Sequence, residues 1–169
     1  MSDFHQNGVI STLHNLSNRS LDEIELELRE YSKEAPIELI LPSLYSELKG
    51  DALKNIVSCL SNVKYLNHIT IGLDKADKSE FIKAKKFFSS LNQSHSVIWN
   101  DSPKMKKLDS DFKKLGIAPT QPGKGKNVWY CMGYTYSRNE AGSVALHDCD
   151  ITTYNRDLLA RLVYPVANP

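Results

Sequence analysis

The chain has 169 residues, 41% hydrophobic and 24% charged, enough for one compact domain with a substantial core and too apolar for a disordered chain. Twenty-one Lys and Arg against 20 Asp and Glu leave a net charge of +1, so no global field draws it to nucleic acid or to an acidic membrane, and any bound anion needs a local site. The three cysteines, Cys59, Cys131 and Cys149, are odd in number and lack C-x-x-C spacing, which argues against a disulfide framework and a structural zinc site and points to a reducing, cytoplasmic setting.

Residues 1–19 are polar and weakly patterned and read as an extension, with no basic-then-apolar export signal; no later run is long and apolar enough to span a membrane. The rest, residues 20–169, reads as one domain. Ser20 with Glu23 predicts a capping box, and Leu21, Ile24, Leu28 and Tyr31 continue at helical spacing to about Lys33. "IELILP" (37–42) predicts a first strand stopped by its proline, and Leu53, Ile56, Val57, Leu60 and Val63 an amphipathic helix after it, with Cys59 buried on that stripe. "HITIGL" (68–73) is a second strand; Asp77 and Glu80 cap a helix carrying Phe81, Ala84, Phe88 and Leu91. "HSVIW" (95–99) is a third strand, followed by a helix marked by Met105, Leu108, Phe112 and Leu115. A Pro- and Gly-rich loop precedes a helix from about Lys126 to Arg138, "SVALH" (143–147) is a fourth strand, and a last helix covers about Asn155 to Val163. Strands alternating with helices predict an α/β fold: a three-layer, Rossmann-like, mainly parallel sheet with helices on both faces.

Ligands of such sheets bind beyond the carboxyl ends of the strands. The residues that fall there are Pro42, Ser43, Leu44 and Glu47, then Asp74 and Asp77, then Asn100 and Asp101, and finally Asp148 and Asp150. Carboxylates gathered on one rim repel one another unless a cation joins them, and Mg²⁺ commonly binds one or two carboxylates together with substrate phosphates. The loop "QPGKGKNVW" (121–129) supplies the complement, with Gly123 and Gly125 permitting close backbone approach, two lysines, and a helix N-terminus just beyond. It is neither a Walker A loop nor a dinucleotide fingerprint. Each motif alone has an ordinary reading: a D-x-D closing a strand, a G-K-G-K turn in solvent, Asp74 capping a turn.

The order "LILPSLYSE", "IGLDKADKSE", "GKGKNVW", "VALHDCDI" resembles the nucleotide-binding half of GT-A-fold glycosyltransferases, in particular retaining enzymes of the glucosyl-3-phosphoglycerate synthase and mannosylglycerate synthase type, over about residues 36–155. The resemblance implies that Pro42, Ser43 and Leu44 touch the nucleoside, that Glu47 is the second of what is usually an acidic pair (Ser46 stands in the first place), that Asp74 meets the base, and that Lys124, flanked by Gly123 and Gly125, approaches base and phosphate. Asp148 and Asp150 become the D-x-D pair, on ribose and a Mg²⁺ or Mn²⁺ ion. The implied donor is a nucleoside-diphosphate sugar, UDP-glucose foremost, and the implied acceptor a small molecule such as 3-phosphoglycerate. Retention without an enzymatic nucleophile leaves the catalytic residue unassigned. The family continues past the D-x-D strand into a region that supplies a further metal-binding histidine, which His147 does not match, so the chain is expected to correspond to an N-terminal half.

Two function classes follow: a metal-dependent glycosyltransferase or its donor half, and a nucleotide-binding or regulatory module that keeps the cleft without catalysis. Apolar surface left bare by a half domain invites a homodimer. Zinc on His147 and Cys149 is disfavoured, because alternate strand residues face away from the aspartates. Trp99 and Trp129 read as core, and "KMKKLDSDFKK" as a solvated helix rather than an RNA surface.

Overall fold

The computed structural model describes residues 19–169; residues 1–18, most of the expected extension, lie outside it. In chain order the elements are α1 (Leu21–Glu34), β1 (Ile37–Leu44), a 3₁₀ turn (Tyr45–Lys49), α2 (Asp51–Leu60), β2 (Leu66–Asp74), α3 (Lys78–Phe88), β3 (His95–Trp99), α4 (Pro103–Lys114), α5 (Lys124–Arg138), β4 (Ser143–Leu146) and α6 (Arg156–Ala167). The four strands pair all-parallel in the order β3-β2-β1-β4. The expected Rossmann-like α/β sheet is thus what the chain forms.

The direction of strand addition decides which face each helix covers. From β1 to β2 to β3 the sheet grows one way, and right-handed crossovers put α2 and α3 on one face; from β3 the chain returns to the far side of β1, so α4 and α5 cross the other. The first face holds the apolar core: Ile37, Leu39 and Leu41 of β1 and Ile69, Ile71 and Leu73 of β2 pack with Leu53, Ile56 and Leu60 of α2, Ala84 and Phe88 of α3, and Leu159 and Val163 of α6. Both predicted capping boxes form, at Ser20–Glu23 and Asp77–Glu80. The last helix buries Leu159, Ala160, Val163 and Ala167, and its main helical neighbour is α1. That stripe is therefore covered within the chain.

The second face is polar and covered chiefly by α5. Residues of alternate parity point there, and they meet α5 through Thr70–Thr135, Ser96–Tyr134 and the wholly buried Glu38 beside Arg138. Gly72 sits beneath the helix so closely that an added Cβ would lie 1.8 Å from Asn127 Oδ1 and 2.5 Å from Cys131 Sγ. Glycine here is a packing requirement.

Three expectations are corrected. Pro42 does not stop the first strand, which runs on to Leu44 with Pro42 paired to Gly72. Ile40 bonds towards β4, accepting from His147 N at 3.1 Å, so Pro42, of the same parity, would turn its missing N–H to that side, where β4 has already ended. The proline ends pairing on one edge only. Secondly, Trp129, expected in the core, is 37% exposed, its ring meeting Phe112 of α4, a helix whose own apolar stripe leaves Leu108 37% and Leu115 70% exposed. Thirdly, Cys59 is half-buried, at the margin of the α2 stripe beside Asn55 and the Tyr154 carbonyl.

Candidate nucleotide-binding site

A cavity of about 550 Å³ opens at the carboxyl ends of the strands. Of the residues expected there, Pro42, Ser43, Leu44, Glu47, Asp74, Asn100, Asp101, Gly123, Lys124 and Asp150 line it, whereas Asp77, Gly125 and Asp148 do not. Asp148 is tied to it through an ion pair with Lys124.

The β1 end is shaped by Glu47. One carboxylate oxygen accepts from Leu44 N at 2.9 Å and from Ser43 Oγ at 3.1 Å, which fixes the turn after the strand and leaves the second oxygen uncommitted. Ser43 is buried and Leu44 half-buried. This wall is consequently rigid.

At the β2 and β3 ends, several acids serve the loops. Asp77 caps α3, and Asp101 Oδ2 accepts from Ala76 N at 3.1 Å. Trp99 stacks on Phe81 at 5.1 Å and donates to the Ala76 carbonyl, so it braces the loop, partly buried at the margin of the core. Asp101 nevertheless lines the cavity, as does Asp74, which commits one oxygen by accepting from Asn100 Nδ2 at 2.8 Å. Burial pushes the Asp74 carboxyl above the ordinary range, with the Asn100 bond opposing. Lys75, next to it on the cavity wall, has φ 54°, left-handed backbone unusual for a side chain of this type.

The glycine-rich loop differs from expectation in one useful way. The helix starts at Lys124, so Lys124, Gly125 and Lys126 form its first turn, with Gly123 at φ 114° as the residue before it. No side chain caps this end, and the first backbone donors to find helical partners are Lys126 N and Asn127 N, both bonding Gly123 O. Free N–H groups and a positive helix end therefore open beside the cavity, the arrangement that receives phosphate.

The two lysines differ in how they are held. Lys126 Nζ lies 2.5 Å from Asp109 Oδ1, and the same carboxylate accepts from Tyr130 Oη at 2.6 Å and pairs with Lys113 at 2.8 Å. Lys113, Lys126 and Tyr130 together hold the Asp109 carboxyl well below the usual carboxylate range. Lys124 and Asp148 are each about half exposed, so their pair is held loosely. Behind them, the buried Asn127 donates to the Gly72 carbonyl at 2.9 Å and pins the helix start to β2. Asn127, Asp109 and Tyr130 escaped the sequence reading. Asn127 and Thr135 stand on a helix face that also carries Cys131, and polar residues on an inward face were the available signal.

After β4 the chain leaves the sheet, yet burial still alternates, with Cys149 and Asp150 both reaching the cavity lining. His147 and Cys149 are buried, His147 bonded to Tyr154 Oη at 3.0 Å and pushed down to about 4 by burial, whereas Asp148 and Asp150 face outward. Zinc on the buried pair has no support in this geometry. Among the described residues no group of three or more His, Cys, Asp or Glu could hold a metal. The D-x-D segment offers two carboxylates, one already drawing a cationic ammonium, and that donor set suits a hard cation whose other ligands are phosphate and water.

No protein-family model matches the chain. It is 47% identical over its whole length to a glucosyl-3-phosphoglycerate synthase of Persephonella marina and 35% identical over 167 residues to one of Methanococcoides burtonii. The chain spans 42% and 40% of the lengths of these relatives.

Proposed function

We propose that the cavity binds the nucleotide of a nucleoside-diphosphate sugar, UDP-glucose, and that the chain is the donor-binding part of a metal-dependent, retaining glycosyltransferase acting on a small acceptor such as 3-phosphoglycerate. The observation that carries this is the meeting of the four sequence motifs around one cavity, together with two glucosyl-3-phosphoglycerate synthases as relatives.

In this reading the base lies towards Asp74 and Asn100, the nucleoside against Pro42, Ser43 and Leu44, and the diphosphate at the open N-terminus of α5. Glycosyl transfer breaks the anomeric C–O bond and leaves negative charge on the departing diphosphate. Asp148 and Asp150 would hold Mg²⁺ or Mn²⁺, which when bound supplies Lewis-acid neutralisation of that charge. Lys124 and the free N–H groups of the first turn add fixed positive partial charge at the same place. No side chain of the cavity is assigned as nucleophile or base, and the remaining cation ligands come from the diphosphate, water or further polypeptide.

Thermal unfolding with UDP, GDP, ADP and UDP-glucose, each with and without Mn²⁺, tests the reading. A ligand at 100 times its dissociation constant adds about 2.7 kcal/mol. Selective stabilisation by the uridine nucleotides with Mn²⁺, lost in Asp148→Ala/Asp150→Ala, is expected; indifference to every nucleotide would overturn it. Among the described residues no three-ligand cluster forms, which favours a second reading, a nucleotide-binding or regulatory module without catalysis. The two part on UDP release from UDP-glucose in the presence of 3-phosphoglycerate, which only the first produces. The cytoplasmic setting belongs to the same proposal; among the described residues no helix is long and apolar enough to cross a membrane.

A further inference from the structure

We propose that Lys124 and the divalent cation exchange for Asp148, so that cation binding both fills the aspartate pair and releases Lys124 to the diphosphate. The inference rests on the reading of the cavity as a nucleotide-diphosphate site. It starts from three observations. Lys124 is the first residue of α5 and lines the cavity. Its ammonium is paired with Asp148, which lies outside the cavity lining. Lys126, by contrast, is neutralised by Asp109, an acid with two further partners.

These pairings match both lysines of the first α5 turn with a carboxylate before any ligand arrives, while Lys75 and Lys106 share the rest of the lining with Glu47, Asp74 and Asp101. A diphosphate approaching α5 meets one lysine held by a many-partnered acid, a second held by Asp148, and the exposed carboxylate of Asp150. Only the Lys124 pair is loose enough to yield, because both partners are about half in solvent and such pairs are worth between 0.2 and 1 kcal/mol, about 1.4- to fivefold in an equilibrium. A cation that needs Asp148 displaces the ammonium at that small cost. The freed Lys124 then points its charge at the helix N-terminus where the phosphates arrive. Cation and nucleotide bind with positive coupling through this chain's own residues, beyond any direct contact between them.

The test is UDP binding by calorimetry in EDTA and in Mn²⁺, with Mn²⁺ binding measured separately without nucleotide, for the wild type, Lys124→Gln, Asp148→Asn and the double variant. In Asp148→Asn, Lys124 is free without a metal, so metal-free UDP affinity rises by about 1.4- to fivefold over wild type. Lys124→Gln weakens metal-free UDP binding and tightens Mn²⁺ binding in the absence of nucleotide, since the competitor for Asp148 is gone. In the double variant Asp148→Asn brings no gain over Lys124→Gln. If Asp148→Asn raises UDP affinity equally in both backgrounds, the effect is plain removal of a repelling carboxylate and the exchange is wrong. If Asp148→Asn raises it in neither, or Lys124→Gln leaves Mn²⁺ binding unchanged, the exchange is equally wrong. Should UDP bind under no condition, with Mn²⁺ or without, the nucleotide reading itself fails and this inference falls with it.

Discussion

Gly72→Ala should be among the most damaging single-methyl changes in the protein. The new Cβ would stand 1.8 Å from Asn127 Oδ1, 2.8 Å from Asn127 Cγ and 2.5 Å from Cys131 Sγ, well inside carbon–oxygen and carbon–sulfur contact distances. Either α5 lifts from the sheet or Asn127 rotates away. Rotation breaks the 2.9 Å bond to the Gly72 carbonyl and leaves a buried donor unsatisfied, about 1–3 kcal/mol. The remaining overlap with Cys131 costs about 1–3 kcal/mol more as overpacking. A loss of about 2–6 kcal/mol in urea unfolding is expected, with a fall in melting temperature of about 2–4 °C per kcal/mol for a chain of this size. Because Asn127 also fixes the helix turn that bears Lys124, UDP affinity should drop in protein that is still folded. Asn127→Ala removes part of the obstacle, so the double variant should be less destabilised than the sum of the single ones. A Gly72→Ala protein within about 0.5 kcal/mol of wild type, or strict additivity with Asn127→Ala, would refute the packing argument.

Asp109→Asn should lower stability by about 1–3 kcal/mol by loosening Lys126 and Tyr130, with loss seen in urea melts, whereas Lys124→Gln should leave the melt nearly unchanged and act on nucleotide binding. Glu38, buried without a hydrogen bond, has its carboxyl raised chiefly by desolvation, with Arg138 opposing. A raised acid contributes stability below its unfolded pKa and loses it as pH climbs through the folded value. Glu38→Gln should therefore gain on wild type progressively above about pH 4 in unfolding free energies measured across pH. His68, its register partner, is buried between Ser94 and Ser96 and pushed down to about 4 by burial, then by the Arg138 charge. Its unfolded form binds the proton first, so its contribution is complete above the usual value of about 6.5 and is lost as pH falls towards 4. His68→Gln should flatten that acid limb.

Most of the fold was legible because two periods dominate the sequence. The strand interiors from Leu39 to Leu41 and Ile69 to Leu73 are apolar on the core-facing parity, and the capping boxes at Ser20 and Asp77 announce their helices with side chains that bond locally. Pro42 was misjudged because the rule that proline breaks a ladder is a rule about one edge; which edge is bare depends on where β4 ends, a tertiary fact. Trp129 misled for a related reason. An apolar ring shows what can be buried and does not show what lies over it, and Trp129 meets Phe112 of a helix whose own apolar stripe leaves Leu115 exposed.

The site was legible to a different depth on each wall. Residues on the cavity lining sit at strand ends, where chain order alone places them, so Pro42, Asp74 and Asp150 could be named from position. Those that hold the walls in place depend on contacts between distant segments: Asp109 reaches Tyr130 across 21 residues and Asn127 reaches Gly72 across 55. Even the acids on the rim divide this way. Asp77 is spent on the helix cap and lies off the cavity lining, whereas Asp101 commits one oxygen to the loop after β2 and stays on it, so one of the carboxylates whose mutual repulsion had suggested a cation is removed. What remains of that argument is narrower and stronger, because Asp148 and Asp150 project from a segment where Pro42 has no N–H to extend the ladder, and Asp148 is already matched to a lysine of the facing helix. The proposed cation therefore rests on two particular carboxylates, Asp150 exposed and Asp148 held only by a half-exposed lysine, not on how many acids the sequence brings to one edge.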